Sequence, residues 1–197
     1  MGIALYFTLT RLLVGPIFLV LYLYYEQFGV KLLALPYLLL GLLAISELSD
    51  LFDGFFARKK NQVTELGKLL DPMADSIFRL SVFLSFTQGI VKLPLLLVLI
   101  FLYRDSIIST LRTLCALRGV ALGARLSGKI KAVLQAVTTL FILVLMIPYT
   151  LGVLDLKLFR LISFLSVLCT CVYTLYSGIE YIYANRSYIK RAINRPE

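Results

Sequence analysis

An all-α, polytopic membrane protein with six transmembrane helices and a short N-terminal interfacial segment is expected from three features of this 197-residue chain. First, 60% of its residues are apolar and its mean hydropathy is +0.90, against an apolar share of about 45–50% in an ordinary soluble domain. Second, apolar runs of about 18 residues or more recur, each long enough to cross a hydrocarbon core about 30 Å thick. Third, positive charge is laid out unevenly. With both termini in the cytoplasm, that side receives Arg58-Lys59-Lys60, the Arg118–Lys131 segment and the basic tail from Arg186 to Arg195. The other side is left with Lys31, Lys92, Lys157 and Arg160. Such an excess sets the orientation of the spans. No repeat, low-complexity linker or boundary interrupts the chain, so one domain over 1–197 is expected. The net charge of +9 suits anionic head groups and nucleotides. No soluble module stands ready for nucleic acid, and no nucleic-acid partner is expected.

The elements follow in order. An interfacial segment, Ala4–Arg11, precedes a first span over Leu12–Tyr25. Pro16 falls in its early turns, where a missing N–H is tolerated. Tyr22, Tyr24 and Tyr25 suit an aromatic belt at the far interface. A turn, Glu26–Lys31, leads to a second span over Leu32–Phe56, pure hydrocarbon until Glu47, Asp50 and Asp53 at its cytoplasmic end. After the Arg58–Gln62 turn, a third span runs from Gly67 or Asp71 to Gly89. A fourth covers Val91–Leu117, interrupted by Arg104-Asp105. A fifth covers Ile130–Leu151, and a sixth covers Phe159–Ala184 before the basic tail. Cys115, Cys169 and Cys171 lack metal-ligand spacing and read as membrane-buried filler. Histidine is absent, which removes the usual general base and the usual zinc ligand. No basic residue precedes Arg11, unlike a cleavable signal peptide, and Tyr6 stands where a myristoylation signal has Ser or Thr.

The chemistry gathers between Asp50 and Asp75. Four aspartates in this stretch are costly in an oily protein, since a carboxylate near the bilayer centre costs about 2.5–3.5 kcal/mol on insertion scales. Asp50 and Asp53 are three apart and Asp71 and Asp75 four apart, so each pair shares a helix face. A short turn makes the second and third spans antiparallel neighbours, and their acidic faces can meet in one cytoplasm-facing site. Like charges at close quarters need a counter-charge. Oxygen-only ligands favour Mg²⁺ or Mn²⁺ over zinc. Gly54, Ala57 and Gly67 let a phosphorylated ligand approach the backbone, and Arg58 supplies a charged fork. Taken singly, each has a plainer explanation. Asp71-Pro72 reads as a helix start, Asp50 or Asp53 as partner of Arg58 or Lys59, and the glycines as packing residues. Metals, an arginine and glycines beside a lipid-facing groove point to phosphoryl transfer on a nucleotide-activated lipid.

Asp50-x2-Asp53-Gly54-x2-Ala57-Arg58-x8-Gly67-x3-Asp71-x3-Asp75 resembles, position for position, the signature of the CDP-alcohol phosphatidyltransferases. The resemblance implies six membrane helices, a cytoplasm-facing site, a homodimer and a place in a bacterial inner membrane. It also implies that an alcohol attacks the lipid phosphate of CDP-diacylglycerol and that CMP leaves. By position, Asp50, Asp53, Asp71 and Asp75 would hold the metal, two Mg²⁺ or Mn²⁺ ions. Asp71 and Asp75 would be catalytic, Asp75 as general base. Asp53, Gly54, Ala57, Arg58 and Gly67 would contact the CDP part.

The later chain is similar to the phosphatidylglycerophosphate synthase branch, through Arg104-Asp105-x6-Arg112, Gly119 and Gly128-Lys129-Ile130-Lys131-x3-Gln135. Asn61-Gln62-x-Thr64 and Thr8-Leu9-x-Arg11 also fit. That branch implies sn-glycerol 3-phosphate as acceptor, with Arg104, Arg112, Arg118, Lys129 and Lys131 as its basic pocket; each of these equally serves as a topology-setting charge. Departures are Asp105 for Glu, Ser76 for Lys, Glu47 for a small residue, Arg125 for Ser and Ala132 for Thr. Arg79 is placed to replace the missing Lys and pair with Glu47. The same chemistry on inositol phosphate, inositol or serine is the alternative. A small ion-coupled transporter is the reading from another class, although its acids would then trace a route across the membrane instead of gathering at one face.

Overall fold

The computed structural model describes residues 3–59, 65–117, 119, 122–123 and 125–193, with the side chains of 3–9, 50–59, 65–72 and 190–193 outside the description. The described residues form α-helices and turns, with no strand among them. The helices are α1 (Ile3–Tyr24), α2 (Leu35–Lys59), α3 (Glu65–Ser85), α4 (Leu95–Leu117), α5 (Leu126–Thr150), α6 (Leu156–Ala184) and α7 (Arg186–Ile193). They divide between two compact units. One comprises 1–93 and 139–163, the other 94–138 and 164–197.

In the first unit, α1 packs against α2 and α3. Its buried face repeats at helical spacing through Arg11, Val14, Phe18 and Tyr22. The matching face of α3 carries Asp75, Phe78, Val82 and, just beyond its end, Phe86. Arg11 meets Asp75, Gly15 meets Ser81, and the rings of Phe18 and Tyr22 lie 6.0 and 5.6 Å from Phe86. The contacts advance together along both helices, so α1 and α3 run parallel. Gly15 lets them close up, since a Cβ there would lie 3.3 Å from the Ser81 side chain.

Two expectations change here. Residues 4–11 are not set apart from the first span; they are the opening turns of α1, which puts Pro16 in mid-helix. Their continuation positions Arg11 on the buried face. Tyr22 is no belt residue either, being 1% exposed. Its hydroxyl accepts from the backbone N–H groups of Ile90 and Val91 at 3.1 and 3.0 Å and lies 3.2 Å from the Gln88 carbonyl it donates to. It therefore holds the left-handed Gly89 turn (φ +61°) that follows α3. Tyr24 is exposed, as a belt residue would be.

In the second unit, α6 is polar inside and apolar outside. Thr170, Thr174 and Ser177 are buried, while Val172, Leu175, Tyr176 and Ile179 are exposed. Thr174 and Ser177 return their hydroxyls to their own helix, and Thr138 of α5 meets Thr170 at 2.7 Å. A helix in water shows the opposite polarity; small and hydroxyl residues inside with hydrocarbon outside is the pattern of helices packed in lipid. Among the described residues, α5 and α6 are long and apolar enough to cross a membrane. The apolar stretches Thr10–Tyr24 and Leu35–Ser49 are shorter. The basic tail is partly helical: α7 sets Ile189 against Cys115 of α4, with Leu111 and Leu122 alongside. Cys115 and Cys171 are buried filler as expected, whereas Cys169 is exposed.

Candidate active site

The signature lies on two helices of the first unit. Asp50, Asp53, Gly54, Ala57 and Arg58 belong to α2, and Gly67, Asp71 and Asp75 to α3. Both aspartate pairs sit on helical backbone, three and four residues apart, so each pair keeps to one face of its helix. Because α3 begins at Glu65, Asp71 and Pro72 lie inside it and do not start it. The side chains of Asp50, Asp53, Gly54, Ala57, Arg58, Gly67 and Asp71 lie outside the described residues. Of the four expected metal ligands, Asp75 is therefore the one whose side chain is described. Among the described residues no group of three or more His, Cys, Asp or Glu gathers.

Asp75 is held by two arginines. Arg11 of α1 donates from Nη1 to Oδ1 at 2.5 Å, and Arg79, one turn along α3, donates from Nη2 to Oδ2 at 2.9 Å. Arg11 is 1% exposed and Arg79 18%, while Asp75 keeps 29% of its side-chain surface. Each oxygen has its own guanidinium, so the carboxylate plane is fixed while one edge remains open. Charge-assisted bonds of this kind are the stronger ones. The ion pair of Arg79 thus goes to Asp75, which lies on its own helix at i−4, and not to Glu47.

The expected acceptor residues fall in the second unit. Lys131 of α5 donates from Nζ to both oxygens of Asp105 on α4, at 2.8 and 2.7 Å, and Arg104 adds a bond from Nη1 at 3.0 Å. Lys131 is 5% exposed. Arg112 is half-buried and Lys129 exposed, and Arg118 lies outside the described residues. Hence Arg104 and Lys131 are brought together, whereas Lys129 points to the surface. Arg104 passes between two glycines: a Cβ on Gly178 would lie 3.1 Å from its Cγ, and one on Gly128 3.5 Å from its Nη2.

Glu180 and Ser127 escaped the reading of the sequence. Glu180 of α6 accepts from Arg125 and Ser127, both at 2.6 Å, and so clasps the start of α5. The replacement of Ser by Arg at 125 thereby acquires a partner. Asp105, which stands where the branch has Glu, is the counter-ion that Arg104 and Lys131 share. A lone acid late in an apolar span is the signal that could have raised Glu180.

The CDP-alcohol phosphatidyltransferase family model matches residues 1–176. A Rickettsia typhi protein named CDP-diacylglycerol–glycerol-3-phosphate 3-phosphatidyltransferase is 33% identical over 132 residues, covering 66% of this chain and 69% of its own. A Bacillus subtilis protein of the same name is 30% identical over 153 residues, covering 76% and 74%. A Streptomyces coelicolor cardiolipin synthase (CMP-forming) is 44% identical over a shorter 66 residues, 34% of this chain and 30% of its own. With the signature aspartates on two helices, Asp75 between paired guanidinium groups and a match that begins at the first residue and runs through most of α6, the chain belongs to the CDP-alcohol phosphatidyltransferase family.

Proposed function

We propose that this chain transfers the phosphatidyl group of CDP-diacylglycerol to sn-glycerol 3-phosphate, giving phosphatidylglycerophosphate and CMP. The name shared by the Rickettsia and Bacillus relatives carries this reading. It acts as a CDP-diacylglycerol–glycerol-3-phosphate 3-phosphatidyltransferase, one domain over 1–197 with six spans, in a bacterial inner membrane with its site toward the cytoplasm. A homodimer is part of the same proposal.

The donor set of Asp50, Asp53, Asp71 and Asp75 is all carboxylate, which fits Mg²⁺ or Mn²⁺. Bound there, two such ions would offset charge on the diphosphate and the leaving oxygen. Asp53, Gly54, Ala57, Arg58 and Gly67 receive the CDP part. The acceptor hydroxyl gives its proton to Asp75, its oxygen bonds to the lipid phosphorus, and the bond to the cytidylyl phosphate breaks to release CMP. Arg11 and Arg79 support this role by fixing the carboxylate in one orientation. Arg104, Arg112, Arg118, Lys129 and Lys131 supply positive charge for the acceptor phosphate. An apolar groove of about 700 Å³ between α1 and α2, reaching from Pro16 and Phe28 to Ile45, suits the lipid chains.

The test is direct. Purified protein with CDP-diacylglycerol, Mg²⁺ and labelled glycerol 3-phosphate should yield labelled lipid and one CMP per turnover. Turnover only with inositol phosphate, inositol or serine would change the acceptor and keep the chemistry. Ion flux without CMP release would favour a transporter.

A further inference from the structure

The buried polar cluster of the second unit contains one residue that neither the signature nor the basic pocket uses. Gln135 stands one turn along α5 from Lys131, on the same face. It is 2% exposed, and its side-chain oxygen meets no hydrogen-bond partner. Buried amide oxygens are nearly always satisfied, and an orphan calls for a reason. The ionic groups beside it are mutually engaged: Asp105 takes both Lys131 and Arg104. Arg104 also keeps a buried Nε without an acceptor. The second unit therefore offers two buried side-chain atoms without a partner, the donor Nε of Arg104 and the acceptor oxygen of Gln135. A ligand that satisfies both carries an accepting oxygen, as a phosphate does, and a hydroxyl that can donate. Apolar alcohols and simple phosphate each meet only part of that demand.

We propose that Gln135 is a specificity-determining residue for the acceptor, its amide oxygen accepting a hydrogen bond from a hydroxyl of a phosphorylated polyol. The hydroxyl in question is one that does not attack phosphorus, because attack needs a base and Gln135 is not one. Asp105 is the positioning residue of the cluster, keeping Lys131 and Arg104 in place so that the polyol phosphate meets a preset charge. This inference rests on the acceptor being a phosphorylated polyol, as proposed above.

The experiment compares two acceptors that differ by one hydroxyl, sn-glycerol 3-phosphate and 3-hydroxypropyl phosphate, by CMP release from CDP-diacylglycerol. In the unaltered protein glycerol 3-phosphate should be favoured. Gln135→Leu should lower kcat/KM for glycerol 3-phosphate about tenfold, the worth of one hydrogen bond read in a buried site. The same variant should leave 3-hydroxypropyl phosphate within about twofold and KM for CDP-diacylglycerol unchanged, since the lost partner belongs to the missing hydroxyl. Gln135→Glu, which keeps an acceptor oxygen, should retain the preference. Equal change on both acceptors, or none on either, overturns the role of Gln135 while leaving the transferase reading intact. If Gln135→Leu abolishes all turnover, Gln135→Glu decides: preference kept supports the role and preference lost overturns it. Turnover by the unaltered protein with unphosphorylated alcohols only would overturn both the acceptor reading and this inference.

Discussion

Arg11 and Asp75 stand 64 positions apart in the chain and 2.5 Å apart in the structure. The contact ties the parallel pair α1 and α3 together at the last of the four signature aspartates. Arg11 is almost wholly buried, whereas Asp75 keeps an open edge, so the arginine acts on the site through the carboxylate and not from the solvent side. Arg11→Ala should lower kcat for CMP release at least about tenfold, because the carboxylate then swings with Arg79 alone. It should also destabilise the protein by about 1.5–3 kcal/mol, the usual worth of a hydrogen bond to a charged group. Arg11→Lys should restore part of the stability and less of the rate, since an ammonium lacks the planar fork. Thermal unfolding in detergent and CMP release separate the two effects.

Tyr22 and Gly89 make a second test of the same helix pair. The Tyr22 hydroxyl satisfies two backbone N–H groups, and a Cβ at Gly89 would lie 3.1 Å from its ring. Tyr22→Phe should cost about 1–3 kcal/mol, the penalty for buried donors left unmatched. Gly89→Ala should also destabilise, through both the positive φ and the ring contact. The two act on one latch, so the double variant should lose less than the sum of the singles. Additive losses in thermal unfolding would show that the latch is not one unit.

Much of this architecture was legible in the sequence, and the exceptions share a cause. Apolar runs bounded by Gly, Pro and charge located each long helix, and the fifth and sixth expected spans begin within four residues of α5 and α6. The pairing of aspartates by helical spacing needs only periodicity. What stayed hidden was rotation about each axis. A helix that is hydrophobic all round has no polar stripe to mark its inner face, so Arg11 read as an interfacial charge and Tyr22 as a belt residue. Their partners lie on α3 and just beyond it, and nothing local to α1 announces them. Arg79 had a candidate acid on each of two helices, and the one on its own helix took it. For Glu180 and Arg125, the substituted arginine was visible but the acid that answers it lies 55 residues on.

Asp105 and Lys131 should be strongly coupled. Lys131 is buried and gives its ammonium to both Asp105 oxygens. Removing either member breaks a buried charge pair, which costs more than removing both. Asp105→Ala and Lys131→Met should each destabilise by several kcal/mol, about 3–5 for a broken buried pair. The double variant should recover a coupling of about 1–3 kcal/mol. A cycle with no coupling would mean that each is held by other neighbours.

Metal removal tests the signature itself. If Asp50, Asp53, Asp71 and Asp75 share divalent ions, a chelator should abolish CMP release, and Mg²⁺ or Mn²⁺ should restore it while Zn²⁺ restores little. Oxygen-only ligands decide that order, since zinc favours nitrogen and sulfur. Replacing Asp50, Asp53 or Asp71 by Asn should lower turnover at least about 100-fold, as much as the loss of an outer-shell partner costs a metal site. Raised metal concentration should rescue part of that loss. Asp75→Asn should differ, because its oxygens already hold Arg11 and Arg79. Turnover should fall as far, yet added metal should rescue less if the residue's main work is to take the acceptor's proton. Equal metal rescue of all four variants would make Asp75 a ligand like the others and leave the general base unassigned.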